Sequence, residues 1–167
     1  MRPRYLPNPE RLEVGSNCFV GRFTTLFALS EYEDQRFDSK IVIGNDVYIG
    51  SWSQLHAMGL IALGDGCVLS DYVYISDTAH GMDPRKGLIM KQPLFSKGPV
   101  IIGEHTFMGH GSAILPGVTL GKHCVVGARS VVTKSFPNYS VIAGNPARQI
   151  KSIEPEIERA LNAAERR

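Results

Sequence analysis

The residues best equipped for chemistry in this 167-residue chain are few: five histidines, His56, His80, His105, His110 and His123, and three cysteines, Cys18, Cys67 and Cys124. The cysteines are odd in number, far apart and form no Cys-x-x-Cys pair, so neither a disulfide framework nor a thiolate zinc site is expected. That leaves the imidazoles. A neutral imidazole, with an unperturbed pKa of about 6.5, can accept a proton near pH 7 and so activate a hydroxyl. Charge offers no second lead: 18 Lys+Arg against 16 Asp+Glu give a formal net charge of +2, too balanced for a nucleic-acid partner. The N-terminal stretch lacks the apolar core of a signal peptide, and no segment reaches the roughly 18 apolar residues that span a bilayer. A cytoplasmic protein of one domain, residues 1–167, with neither nucleic acid nor membrane as partner, is expected.

What must position a histidine here is a repeat. Aliphatic residues recur every six positions: Val14, Val20, Leu26; Ile43, Ile49, Leu55; Leu63, Leu69, Ile75; and Ile102, Met108, Ile114, Leu120, Val126, Val132. Gly follows nine of these fifteen, too often for a helix or an ordinary strand, so turns must recur at the same period. Four residues after each aliphatic stands a smaller side chain, the three cysteines among them, until Phe136. One bulky and one small inward position per six residues fit a three-sided coil of eighteen residues per lap. About five coils are expected between residues 14 and 137, stacked at roughly the 4.8 Å spacing of hydrogen-bonded strands. Two loop excursions break the register, 31–42 and 81–101, and long loops on a rigid scaffold are where sites are built. Residues 138–167 form a C-terminal extension whose tail, from Pro155, reads as a short helix covering the end of the stack.

The run GPVIIGEHTFMGHGSAILPGVTLGKHCVVGARSVVTKSFPNYSVIAGNPARQIK (98–151) resembles the C-terminal half of the sugar and xenobiotic O-acetyltransferases, a hexapeptide-repeat family. Upstream, ISDTAHGMDPRKG (75–87) is similar to their segment around the catalytic histidine, with its Thr-x-His-x-x-Asp-Pro pattern. The resemblance implies an all-β fold, a left-handed parallel β-helix, and an acetyl-CoA-dependent O-acetyltransferase acting by direct attack on the thioester. Repeats that start at Val14, with no helical segment ahead of them, make the layout closer to acetyltransferases of surface-polysaccharide biosynthesis than to galactoside and maltose enzymes. Resembling enzymes are trimers with sites at subunit boundaries, so a homotrimer is expected.

Carried over residue by residue, the resemblance makes His80 the base; Asp77, nearby in sequence, or a backbone carbonyl would orient it. Gly111, Ser112, Ala113 and Ala128 would line the pantetheine groove, and Lys134 and Arg148 would meet the adenosine phosphates. Acceptor contacts are expected from His56, which replaces Gly at its repeat, and from Tyr74 and Asp83; Trp52 and Tyr72 could stack on a sugar ring. Two rivals share the coil. A γ-class carbonic anhydrase-like zinc protein needs three histidine ligands and an open position; His80 and His110 fall near two of them, but Leu115 stands at the third, so no metal is expected. A non-catalytic assembly subunit is the other.

Overall fold

The computed structural model describes residues 8–154. Five successive coils each place one strand on each of three faces. The first face stacks Leu12–Val14, Lys40–Ile43, Leu60–Leu63, Val100–Ile102 and Thr119–Leu120; the third stacks Thr25–Ala28, Gln54–Ala57, Tyr74–Ser76, Ala113–Ile114 and Val131–Val132. All pairing within these two faces is parallel and in hexapeptide register, as in Leu26↔Leu55↔Ile75↔Ile114↔Val132. The periodic aliphatics from Leu26 onward therefore form one column, nearly all of it fully buried. Buried apolar area shared by neighbouring coils is what stabilises such a stack, since one lap could not hide its own inward side chains. Val14, in the first coil, is half exposed at 50% for that reason.

Glycine is required where one turn lies directly on the next. A Cβ at Gly50 would stand 2.5 Å from the Ser70 carbonyl carbon, and one at Gly103 would stand 2.5 Å from that of Gly121. The third residue after an aliphatic adopts left-handed backbone at two corners of the prism, for example Trp52 (φ 63°), Tyr72 (φ 61°), His105 (φ 56°) and His123 (φ 54°). Four of the side chains on those corners, Phe23, Trp52, Tyr72 and His110, pack ring against ring along the stack at 4.3, 6.1 and 5.3 Å.

Three boundaries differ from expectation. The first excursion ends at Ser39, because Lys40 already pairs with Leu60. The second excursion closes on the coil at Val100, and its ends pair with each other, Ala79–His80 antiparallel to Leu94–Phe95. The column does not stop at residue 137: Phe136 bridges Leu120, Ile142 pairs with Val126, and Ala147–Ser152 returns antiparallel to Ser140–Gly144. The second face thus has seven strands. The helix expected from Pro155 lies outside the described residues.

Candidate active site

The excursions leave the prism after the third-face strands of the first and third coils, and they meet. Gln35 donates to the Leu94 carbonyl at 3.0 Å and accepts from the Leu94 N–H at 2.7 Å. Lys91 pairs with Glu33 at 2.9 Å, and the Tyr32 hydroxyl donates to the Met90 carbonyl. Beneath this junction lies a cleft of about 250 Å³. Its floor is the outer side of the third face, Phe27, His56 and Tyr74, and its rim carries Tyr32, His80 and Leu94. Outward-pointing residues on a parallel face align across strands, which is why Phe27, His56 and Tyr74 touch edge to face at 5.9 and 5.8 Å.

Three of the expected residues, His56, Tyr74 and His80, are brought together here. His80 is solvent-exposed, at the base of the second excursion, with its ring edge-on to Tyr32 at 5.5 Å. Burial holds His56 below the ordinary histidine pKa, so near neutral pH its imidazole is uncharged and offers one donor and one acceptor. A second cleft, about 340 Å³, lies on the other side of a wall formed by Tyr74, Thr78 and Ala79. Met82, Phe95, Lys97, Leu115, Pro116 and Thr133 line it.

Asp77 is not placed to orient His80. It is buried, and its carboxylate accepts from the backbone N–H groups of Met58 (2.6 Å), Gly59 (2.8 Å) and Leu60 (2.8 Å). The reason is its repeat position. Asp65 and Asp71, twelve and six residues earlier, also stand second after an aliphatic and brace the preceding coil in the same way, each accepting from a backbone N–H at 2.7 Å. Ser112 is corrected too: it points into the prism and is fully buried, with no partner for its hydroxyl, as its place four residues after Met108 dictates. Asp83 lines neither cleft. It caps the 3-10 turn Pro84–Lys86 and takes two hydrogen bonds from the Arg85 guanidinium, both 2.9 Å, which hold its carboxyl below the usual range. Trp52 and Tyr72 have their ring faces turned to each other, 5° from parallel, which leaves edges and not faces for a sugar.

The remaining cofactor candidates trace the corner between the second and third faces. Gly111 occupies a left-handed turn position (φ 65°), Ala113 sits outward beside Tyr74, and Ala128 is exposed on the next coil. Lys134 and Arg148 are exposed at the C-terminal end of the stack, with Lys134 over the Phe136 ring at 5.5 Å and Arg148 donating to the Ala147 carbonyl. Gln92 gave no sequence signal. It is buried inside the second excursion, accepts from the Asp83 N–H and donates to the Asp83 and Gly87 carbonyls, so it sets that loop's shape. Tyr32 was equally silent, since its partners lie far along the chain. His105 stacks on His123, His110 packs on Tyr72, and no group of three His, Cys, Asp or Glu side chains converges among the described residues.

Comparisons with known proteins agree with this architecture. Residues 99–134 match the profile of the bacterial transferase hexapeptide (six repeats), and residues 40–76 match that of the hexapeptide repeat of succinyl-transferase. A probable acetyltransferase of Mycobacterium tuberculosis is 34% identical over 146 residues, 87% of this chain and 46% of the relative, so the chain spans about half that protein's length. A putative lipopolysaccharide biosynthesis O-acetyl transferase of Escherichia coli K12 is 28% identical over 92% of this chain and 78% of its own. The solved galactoside acetyltransferase in complex with coenzyme A is 27% identical, with a TM-score of 0.66, over 87% of this chain and 67% of that one. The chain folds as a left-handed parallel β-helix built on hexapeptide repeats, and the three relatives just described are named as acetyltransferases.

Proposed function

We propose that the protein transfers an acetyl group from acetyl-CoA to a hydroxyl of a sugar or polysaccharide precursor, with His80 as the general base. The observation that carries this reading is the pair of clefts separated only by Tyr74, Thr78 and Ala79, one holding His80 and the other largely apolar. An acyl-transfer site needs an acceptor chamber with a base and a second channel for a long thioester arm. The second cleft adjoins Ala113 through Tyr74, and that small side chain allows a pantetheine arm close approach to backbone. Lys134 and Arg148 supply cations for its phosphates at the far end. Bound acetyl-CoA supplies the thioester. His80 takes the acceptor hydroxyl's proton as its oxygen bonds to the acetyl carbon and the carbon–sulfur bond breaks, then returns that proton to the departing sulfur.

The assembly we infer is a homotrimer. Phe19, Tyr48, Val68 and Phe107, between 37% and 45% exposed, form an apolar column along the second face that association would cover. A cytoplasmic setting fits three free thiols, and no helix among the described residues is long and apolar enough to cross a membrane.

The test is a thermal shift followed by a coenzyme A release assay over a panel of sugars. Acetyl-CoA at 100 times its Kd should add about 2.7 kcal/mol of stability, and release should depend on an acceptor. No shift at millimolar cofactor would overturn the reading.

A further inference from the structure

The chamber that holds His80 is closed by chain from two distant places. Tyr32 arrives with the first excursion and Leu94 with the second, over the third-face floor, with Leu29 at the end of the first coil's strand beside them. Among the described residues, no lysine or arginine lines it. Three cations of the two excursions are matched elsewhere, Arg36 by Glu31 at 3.3 Å, Lys91 by Glu33 at 2.9 Å and Arg85 by Asp83 at 2.9 Å, while Lys86 and Lys97 stand outside its lining. A phosphate or carboxylate entering the chamber would shed its hydration with no cation to replace it, which disfavours anionic acceptors.

The lining suits a different ligand. Aromatic and aliphatic walls match the C–H surface of a sugar ring, and uncharged His56 can both give and take a hydrogen bond, as a hydroxyl does. The volume, about 250 Å³, falls below the roughly 300–1,000 Å³ of pockets that enclose drug-sized ligands. That is room for one sugar ring. Tyr32 sets the limit: its ring meets His80 edge-on at 5.5 Å, and its hydroxyl is committed to the Met90 carbonyl, so it walls the chamber and ties the excursions together.

We propose that this chamber selects an uncharged acceptor ring, with Tyr32 and His56 as its specificity-determining residues. The inference rests on the acetyl-transfer reading and narrows its acceptor to neutral glycosyl units. The decisive experiment uses the full chain, first confirming the acetyl-CoA thermal shift, then measuring kcat/KM for matched acceptor pairs. Each pair joins a neutral methyl glycoside to its uronate, its phosphate or its nucleoside-diphosphate counterpart. The neutral member is expected to win by at least tenfold. Tyr32→Ala should cut that ratio at least threefold while Tyr32→Phe, which keeps the ring, leaves it within twofold. Because each ratio is taken within one preparation, partial unfolding does not move it. Should Tyr32→Ala fail to fold, His56→Gln must raise KM for the neutral acceptor at least fivefold with the cofactor shift intact. Equal or better use of the charged member, an unchanged ratio in Tyr32→Ala, or an unchanged KM in His56→Gln would overturn the proposal. So would the absence of transfer to any neutral glycoside by a protein that acetyl-CoA still stabilises. Loss of both the thermal shift and all transfer would instead overturn the acetyl-transfer reading.

Discussion

The coils and the excursions are held by different kinds of bond. Each coil is joined to the next by backbone hydrogen bonds, such as Gly50 N–H to the Leu69 carbonyl at 2.8 Å and Gln54 N–H to the Val73 carbonyl at 2.8 Å, and by inward aliphatics that every neighbour shares. The excursions rely on single side chains. Gln92 shapes the second from within, and Gln35, Tyr32 and the Glu33–Lys91 pair dock the first onto it. Stability therefore resides in a redundant ladder, whereas the shape of the candidate site depends on a few side-chain contacts. Regions that must admit ligand are drawn from the less stable part of a fold.

Four substitutions or conditions would break or sharpen that contrast. The largest effect is expected at the site and not in the scaffold: His80→Ala should lower acetyl transfer by about 10²–10⁴-fold with the urea midpoint and the cofactor thermal shift unchanged. Wild-type turnover would remove His80 from the mechanism. Next comes the column, where Ile75→Ala in the third coil should cost about 2–5 kcal/mol in urea unfolding, because the cavity is walled by coils on both sides. A loss under about 1 kcal/mol would mean the ladder absorbs holes, and the contrast with the excursions would weaken. Gln92→Leu should cost less, about 1–3 kcal/mol, and locally: amide exchange should quicken across residues 81–93 while the coils stay protected, and transfer should fall. Exchange rising uniformly over the chain would show that the excursion and coils unfold as one unit.

The smallest effect is a pH slope. Burial lowers the folded pKa of His56 below the ordinary histidine value of about 6.5, so below that pH the unfolded chain binds more protons than the folded one. Its contribution is complete above about pH 6.5 and declines as pH falls toward the lowered folded value. Comparing urea stabilities at pH 7.5 and 5.5, His56→Gln should flatten the decline. An identical slope in the variant would mean that His56 is as solvated in the folded chain as in the unfolded one.

Much of this was legible in the sequence, and the exceptions are instructive. The hexapeptide period places Leu26 to Val132 inward because a coil of fixed geometry turns every sixth residue to the same side. The same logic, pursued to the second residue after each aliphatic, would have assigned Asp77 with Asp65 and Asp71 to coil bracing. Pursued to the fourth, it would have kept Ser112 in the core with Cys67 and Cys124, whose thiols burial raises, that of Cys67 to about 11. Nearness to His80 in sequence suggested Asp77 and a family resemblance suggested Ser112, and at both positions the period was the better guide.

The chain by itself determined the coil, its three faces, the inward column and the point at His80 where the second excursion departs, since each follows from short-range spacing and the stereochemistry of stacked turns. Only the tertiary structure decided what roofs His80. Tyr32 and Met90, or Gln35 and Leu94, are joined by nothing periodic; the contact exists because coils stacked in register place the exits of the first and third coils on one face, close enough for their excursions to bond.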